Sequence, residues 1–204
     1  MAWYADDMTQ TKRLSIVLGL NLSMIAGLII FGLASHSLGL LAAGGDYIAD
    51  SMAVALGLLA IYIRDRSGGK SKATTYVAGI NGAFLLIVTL IVAVEAVRRL
   101  VGHNPMVNGL PVLIVSSIAA VVMIIGALIL QKADDKTDLH MRSVLLDTIA
   151  DAVSAGAVAI AGGIILVANG AYWLDSVVAL VVGLAIAVQA VKLLRAVVQD
   201  WPKH

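Results

Sequence analysis

The chain has 204 residues, of which 60% are hydrophobic and 13% are charged, and it contains no cysteine. Its charged fraction is about half that of an ordinary soluble domain, which predicts an integral membrane protein, and the lack of cysteine excludes disulfides, thiolate metal sites and cysteine nucleophiles. A net charge of +1 without a basic run argues against a nucleic-acid partner.

Six apolar segments follow one another along the chain. Each is long enough to cross a bilayer of about 30 Å as a helix of about 20 residues. None alternates apolar and polar residues as a membrane strand does. The sequence therefore predicts an all-α membrane protein, a bundle of six transmembrane helices at residues 14–33, 38–63, 73–97, 109–130, 143–168 and 173–198.

The basic residues predict the orientation of this bundle. Twelve of the fourteen Lys and Arg residues fall in the N-terminal segment, the second and fourth connections and the C-terminal segment, and only Arg98 and Arg99 fall on the other side. The positive-inside rule then places both termini in the cytoplasm. We expect cytoplasmic tails at 1–13 and 199–204, no soluble domain, and a six-helix transport domain at 14–198. Its location would be the cell membrane, which is the inner membrane in a Gram-negative bacterium.

Four aspartates lie deep inside two of the apolar segments. Asp46 and Asp50 are in the second, within GGDYIAD, and Asp147 and Asp151 are in the fifth, within LLDTIAD. A charge at the centre of a bilayer costs about 2.5–3.5 kcal/mol. Neither segment has a basic residue at that depth to neutralise these charges. Acidic residues inside a membrane indicate a functional site by default.

The spacing within each pair favours a cation site. Residues four apart share one face of a helix and lie about 6 Å apart along its axis. If the two segments face each other, the four carboxylates converge on a site that would bind a divalent cation or protons in turn. The alternative is that each pair is a protonated hydrogen-bonding contact between helices.

Weaker candidates surround this set. Asn21 and Ser23 in the first segment would either donate hydrogen bonds to the carboxylates or link helices. A second group could attract metal at the cytoplasmic entrance, although a solvated polar loop explains it more simply. That group comprises Asp134, Asp135, Asp138 and His140.

Three further residues have structural interpretations. Asp175 near the start of the sixth segment is expected to cap its helix. Glu95 is expected to pair with Arg98 and Arg99, which follow it by three and four positions. Pro111 is expected in the first turn of the fourth helix.

Several stretches resemble signatures of the cation diffusion facilitator family. SHSLGLLAAGGDYIADSMAVALGLLA is similar to its second helix and DLHMRSVLLDTIADAVSA to its fifth, while VEAVRRL and WLDSVVALVVGLAIAVQAVKLLR resemble parts of its third and sixth. The resemblance runs from about residue 13 to residue 198 and implies a six-helix, proton-coupled exporter of divalent transition metals, commonly zinc and also cadmium. Its metal ligands, which also bind the coupling protons, would be Asp46, Asp50, Asp147 and Asp151.

Two features depart from the family pattern. Asp147 stands where relatives commonly have histidine, and an all-carboxylate set suits manganese or iron better than an imidazole site does. A manganese or iron exporter is therefore an alternative to a zinc exporter. Most members also carry a cytoplasmic domain after the sixth helix, which this chain is expected to lack. A homodimer would then be held by membrane contacts.

Other classes of function are less favoured. The sequence contains no nucleophile, nucleotide or phosphate-binding motif, which argues against an enzyme and against an ATP-driven pump. No cofactor is expected besides the transported ion. A cation channel lined by the same carboxylates is the main alternative, and a non-transporting membrane assembly is the third.

Overall fold

The computed structural model describes residues 22–66, 73–102, 105–133, 139–168 and 170–200. Within these ranges the chain is helical apart from short connections and has no strand. The predicted all-α membrane fold is confirmed. The six helices are α1 Leu22–Ala34, α2 Leu38–Arg66, α3 Ala73–Val101, α4 Gly109–Ala133, α5 Leu139–Ala168 and α6 Trp173–Asp200.

The helices extend beyond several of the predicted membrane boundaries. α2 ends at Arg66 rather than residue 63, and α5 begins at Leu139 rather than residue 143. Charged residues mark where a segment leaves the apolar core, but a helix continues into water because its backbone hydrogen bonds are internal. Residues 14–21 of the first predicted segment lie outside the described residues.

The surface of the bundle is suited to lipid. Within the described ranges, four helices, α3 to α6, are long and apolar enough to cross a membrane. On α3, the apolar side chains of Ile87, Leu90, Ile91 and Val94 are 59–64% exposed. A continuous apolar surface of this kind is rare on a soluble monomer, whereas lipid tails solvate it. The chain is a multi-pass membrane protein.

Small residues allow the helices to pack closely. α4 packs mainly against α5, and α3 mainly against α6, while α2 contacts α3, α6 and a short part of α5. A Cβ atom at Gly162 would lie 2.6 Å from the backbone nitrogen of Leu113, and one at Gly109 would lie 2.6 Å from the carbonyl oxygen of Gly162. The backbones of α4 and α5 are therefore in direct contact at this end, as small residues permit in membranes.

Asp175 caps α2 and not its own helix, so the prediction for this residue was wrong. It is 1% exposed. Its carboxylate accepts hydrogen bonds from Ser37 Oγ at 2.5 Å, from the Leu38 amide at 2.6 Å and from the Gly39 amide at 3.2 Å. Amides in the first turn of a helix have no partner within it. A carboxylate of α6 thus satisfies the positive end of α2 across the bundle.

The turn between α1 and α2 is held by two other elements. Arg99 Nη1 of α3 donates to the carbonyl oxygen of His36 at 2.6 Å. His36 itself has a φ of 58°, which few residues other than glycine adopt. The backbone amide of Asn108, just before α4, donates to the carbonyl oxygen of Ser35 at 3.1 Å. These contacts and Asp175 close this end of the bundle, which we call the capped end.

Two local predictions are confirmed. Glu95 accepts from Arg99 at 3.1 Å and lies 3.7 Å from Arg98, so the expected pairing on the helix surface is present. Pro111 lies in the first turn of α4, which begins at Gly109. Both predictions concern residues a few positions apart, for which helix geometry alone decides the outcome.

Candidate metal site

The two aspartate pairs lie on facing sides of α2 and α5, which run antiparallel where they meet. The side chains of Asp46 and Asp151 lie within hydrogen-bonding range of each other. The charge of Asp147 acts on Asp46, Asp50 and Asp151, so it belongs to the same cluster. The structure therefore places the four aspartates close enough for their charges to interact, and their role as a common metal site stays a prediction.

The four carboxyl groups form two layers. Asp46 and Asp151 are half-buried, whereas Asp50 and Asp147 are exposed. Because the helices are antiparallel, the exposed pair lies one turn nearer the end of α2 and the start of α5. Those termini adjoin the basic second and fourth connections of the chain. Asp50 and Asp147 thus lie nearer the basic end of the bundle, and Asp46 and Asp151 lie nearer the capped end.

In the part of the chain that the structure describes, no three Asp, Glu or His side chains converge closely enough to hold a metal ion. A hydrogen bond between two carboxyl groups requires that one of them carries a proton. Asp50 and Asp147 lie near this pair, since their charges act on both Asp46 and Asp151.

A small cavity adjoins the half-buried pair. Its volume is about 10 Å³, close to the smallest space that holds one water molecule. Its polar lining consists of Asp46, Tyr47, Ser116, Asp151 and Ser154, and apolar side chains from α1, α2, α4, α5 and α6 complete it. Five helices therefore meet at the carboxyl pair, in the interior of the bundle.

Tyr47 is a residue of this region that the sequence reasoning missed. It is 7% exposed, and its hydroxyl group has no hydrogen-bond partner among the described residues. The charges of Asp151, Asp50 and Asp46 all act on this hydroxyl group. The available signal was its position directly after Asp46, but an aromatic residue in an apolar segment is usually interpreted as part of the core.

The weaker candidates stay predictions. Ser23 is exposed near the start of α1, and α1 contributes Leu28 to the lining of the cavity. His140 lies in the first turn of α5. The remaining candidates, Asn21, Asp134, Asp135 and Asp138, lie outside the described residues.

Comparison with known proteins identifies the membrane domain. A family model described as the cation efflux transmembrane domain matches residues 14–200. This range contains all six helices and both aspartate pairs. It is also nearly the range over which the sequence resembles the cation diffusion facilitators.

Three relatives illustrate the similarity. The chain is 28% identical to "Zinc transporter ZitB" of Yersinia pestis over 92% of its own length and 61% of that protein. It is 29% identical to "Cadmium, cobalt and zinc/H(+)-K(+) antiporter" of Bacillus subtilis over 83% of its length and 58% of that protein. For "Metal cation efflux system protein CzcD" of Cupriavidus metallidurans the identity is 26%, over 85% and 56%. The chain spans about three fifths of the length of these relatives.

Proposed function

We propose that this chain, which belongs to the cation efflux family, exports divalent transition-metal ions from the cytoplasm in exchange for protons. The observation that carries the proposal is the carboxyl pair of Asp46 and Asp151, with Asp50 and Asp147 beside it. Such a set attracts a divalent cation when ionised and binds protons when the cation is absent. One site can therefore couple the two fluxes.

The proposed exchange starts with a proton shared between Asp46 and Asp151. An ion arriving from the basic end of the bundle first meets the exposed carboxylates of Asp50 and Asp147. It then takes oxygen ligands from Asp46 and Asp151, and the proton that these two share is released, because carboxylates bind a metal in the deprotonated form. Protons that arrive from the opposite side later displace the ion. The bundle must open at the capped end for that step.

Zinc is the substrate we propose first, with cadmium as a second. The names of these relatives mention zinc, cadmium and cobalt. The ligand set of this chain differs from an imidazole-containing site because it consists of carboxylates alone, which also suits manganese or iron. An exporter of manganese or iron with the same mechanism is therefore the alternative substrate assignment.

A cation channel is the competing function for the same cluster. The half-buried pair disfavours it, since Asp46 and Asp151 lie within hydrogen-bonding range of each other and the adjoining cavity has room for about one water molecule. A conducting pore would need a continuous aqueous path. We also retain the prediction of a homodimer formed through membrane contacts.

Vesicle transport tests the proposal. The purified chain is reconstituted with a zinc-sensitive dye and a pH-sensitive dye trapped inside, and zinc is added outside. We expect zinc entry together with alkalinisation of the interior, since protons leave as zinc enters. Asp151→Asn should reduce both signals to the level of empty vesicles, because the amide cannot bind zinc as a carboxylate does.

Glu95→Gln is the matched control for this experiment. It removes a carboxylate that is paired with Arg98 and Arg99 on the surface, away from the cluster, and should retain transport. Zinc entry without any change in internal pH would contradict the proton coupling. Zinc entry that is unchanged in Asp151→Asn would contradict the site itself.

A further inference from the structure

Tyr47 combines burial with an unused hydrogen-bond donor. The residue is 7% exposed and belongs to the hydrophobic core, yet its hydroxyl group has no partner in the described part of the chain. Buried hydroxyl groups without a partner are uncommon, since leaving one unpaired costs free energy. Phenylalanine would fill the same space without that cost. The hydroxyl group therefore calls for an explanation that the contacts of the described residues do not supply.

The position of the hydroxyl group points to the carboxyl pair. Tyr47 lines the same small cavity as Asp46 and Asp151. Among the carboxyl groups whose charges act on it, Asp151 has the strongest effect. The ring packs in the hydrophobic core, beside the cavity that the carboxyl pair also lines.

We propose that Tyr47 is a positioning residue for the ion site, and that its hydroxyl group donates a hydrogen bond to Asp151 when an ion is bound. This inference rests on the proposed function, since it assumes that Asp151 is a ligand. Asp46 and Asp151 lie within hydrogen-bonding range of each other. An ion bound between them replaces that contact, and the lone pairs of Asp151 that do not face the ion can then accept from a new donor.

The proposed hydrogen bond makes Tyr47 favour one state of the protein. The donor is unpaired without the ion and paired with it, so it contributes to affinity by a difference between two states. Removal of the hydroxyl group should then weaken ion binding while leaving the ion-free fold unharmed. A residue that only supports the fold would show the opposite pattern, with lower stability in both states.

Tyr47→Phe separates these two roles. Zinc binding is measured by calorimetry on the full chain in detergent, and thermal unfolding is followed with and without zinc. We expect the zinc Kd to rise by about 10- to 150-fold, as the loss of one hydrogen bond to a charged acceptor implies. Without zinc, the unfolding temperature should be equal to that of the wild type or higher, and the stabilisation by zinc should be smaller.

Tyr172→Phe is the matched control. Tyr172 is a partly buried tyrosine that packs against the core near the start of α6, on the capped side of the cluster, and its change should leave the zinc Kd unaltered. A Kd for Tyr47→Phe within twofold of the wild type would overturn the positioning role. So would an unfolding temperature that falls equally with and without zinc.

Failure of the proposed function would be recognised separately. If Asp151→Asn bound zinc as the wild type does, the carboxylate site itself would be wrong, and the role of Tyr47 would be overturned with it. If Asp151→Asn lost binding and Tyr47→Phe did not, the site would stand and only the inference about Tyr47 would fall.

Discussion

Asp175, which contacts the start of α2, and the aspartate cluster farther along the helix differ in their hydrogen-bond partners. Near the start of α2, Asp175 is 1% exposed and accepts three hydrogen bonds from the first turn and from Ser37. Further along, Asp46 is paired with Asp151, another acid, and two more carboxylates lie beside them. The carboxylate of Asp175 finds its hydrogen-bond donors within the folded chain. The aspartate cluster lacks a positive partner among the described residues.

The comparison shows that burial alone does not identify a functional acid in a membrane helix. Asp175 is more deeply buried than the aspartates of the cluster, yet the amides that donate hydrogen bonds to it account for its presence. The acids of the cluster have one another as neighbours, which is unfavourable for the ionised forms. The identity of the partners, rather than depth, distinguishes a structural carboxylate from a site.

Asp175→Ala should give the largest effect on folding. It would leave the Ser37 hydroxyl group and two amides of α2 without an acceptor, and we expect a loss of about 2–4 kcal/mol in unfolding free energy. Denaturation in detergent without metal measures it. Asp175→Asn, which keeps one acceptor oxygen, should lose less. An alanine variant as stable as the wild type would contradict the structural role of Asp175.

Asp147→His should change the metal preference. An imidazole in place of a carboxylate favours zinc over manganese, and we expect the ratio of the two Kd values to shift toward zinc by about tenfold, which is about 1.4 kcal/mol. Calorimetry with both metals, on wild type and variant, measures the shift. An unchanged ranking would contradict the assignment of Asp147 as a ligand.

Asp151→Asn should have the smallest effect on folding. The amide can still exchange a hydrogen bond with Asp46, and it removes a charge from a crowded site, so we expect the unfolding free energy without metal to change by less than about 1 kcal/mol. The same denaturation assay compares it with Asp175→Ala. Equal losses in the two variants would show that both groups are structural.

Much of the fold could be predicted because membrane helices are specified locally. The length, apolarity and charge of the segments predicted all six helices. The pairing of Glu95 with Arg98 and Arg99 was predicted from their spacing on one helix. Helix ends were less predictable, as at Arg66, since a helix does not stop where the bilayer does. The four aspartates could be identified as a site because a charge in an apolar segment is conspicuous.

Long-range contacts could not be predicted in the same way. The hydrogen bonds of Asp175 reach residues of α2 that are far away in the sequence, and its nearness to the start of α6 suggested the wrong helix. Tyr47 was missed for a different reason. An aromatic side chain fits an apolar helix, so the pattern gives no sign that its hydroxyl group is unpaired.

Proton release on zinc binding tests the central claim most directly. Calorimetric titrations of the chain in detergent, in two buffers that differ in ionisation enthalpy, give the number of protons released per ion. We predict release of about one proton or more from the wild type, because zinc replaces the proton shared by Asp46 and Asp151, and a lower number from Asp151→Asn. Zinc binding with the same heat in both buffers would mean that no proton leaves, and would contradict a single carboxylate site that serves both the ion and the protons.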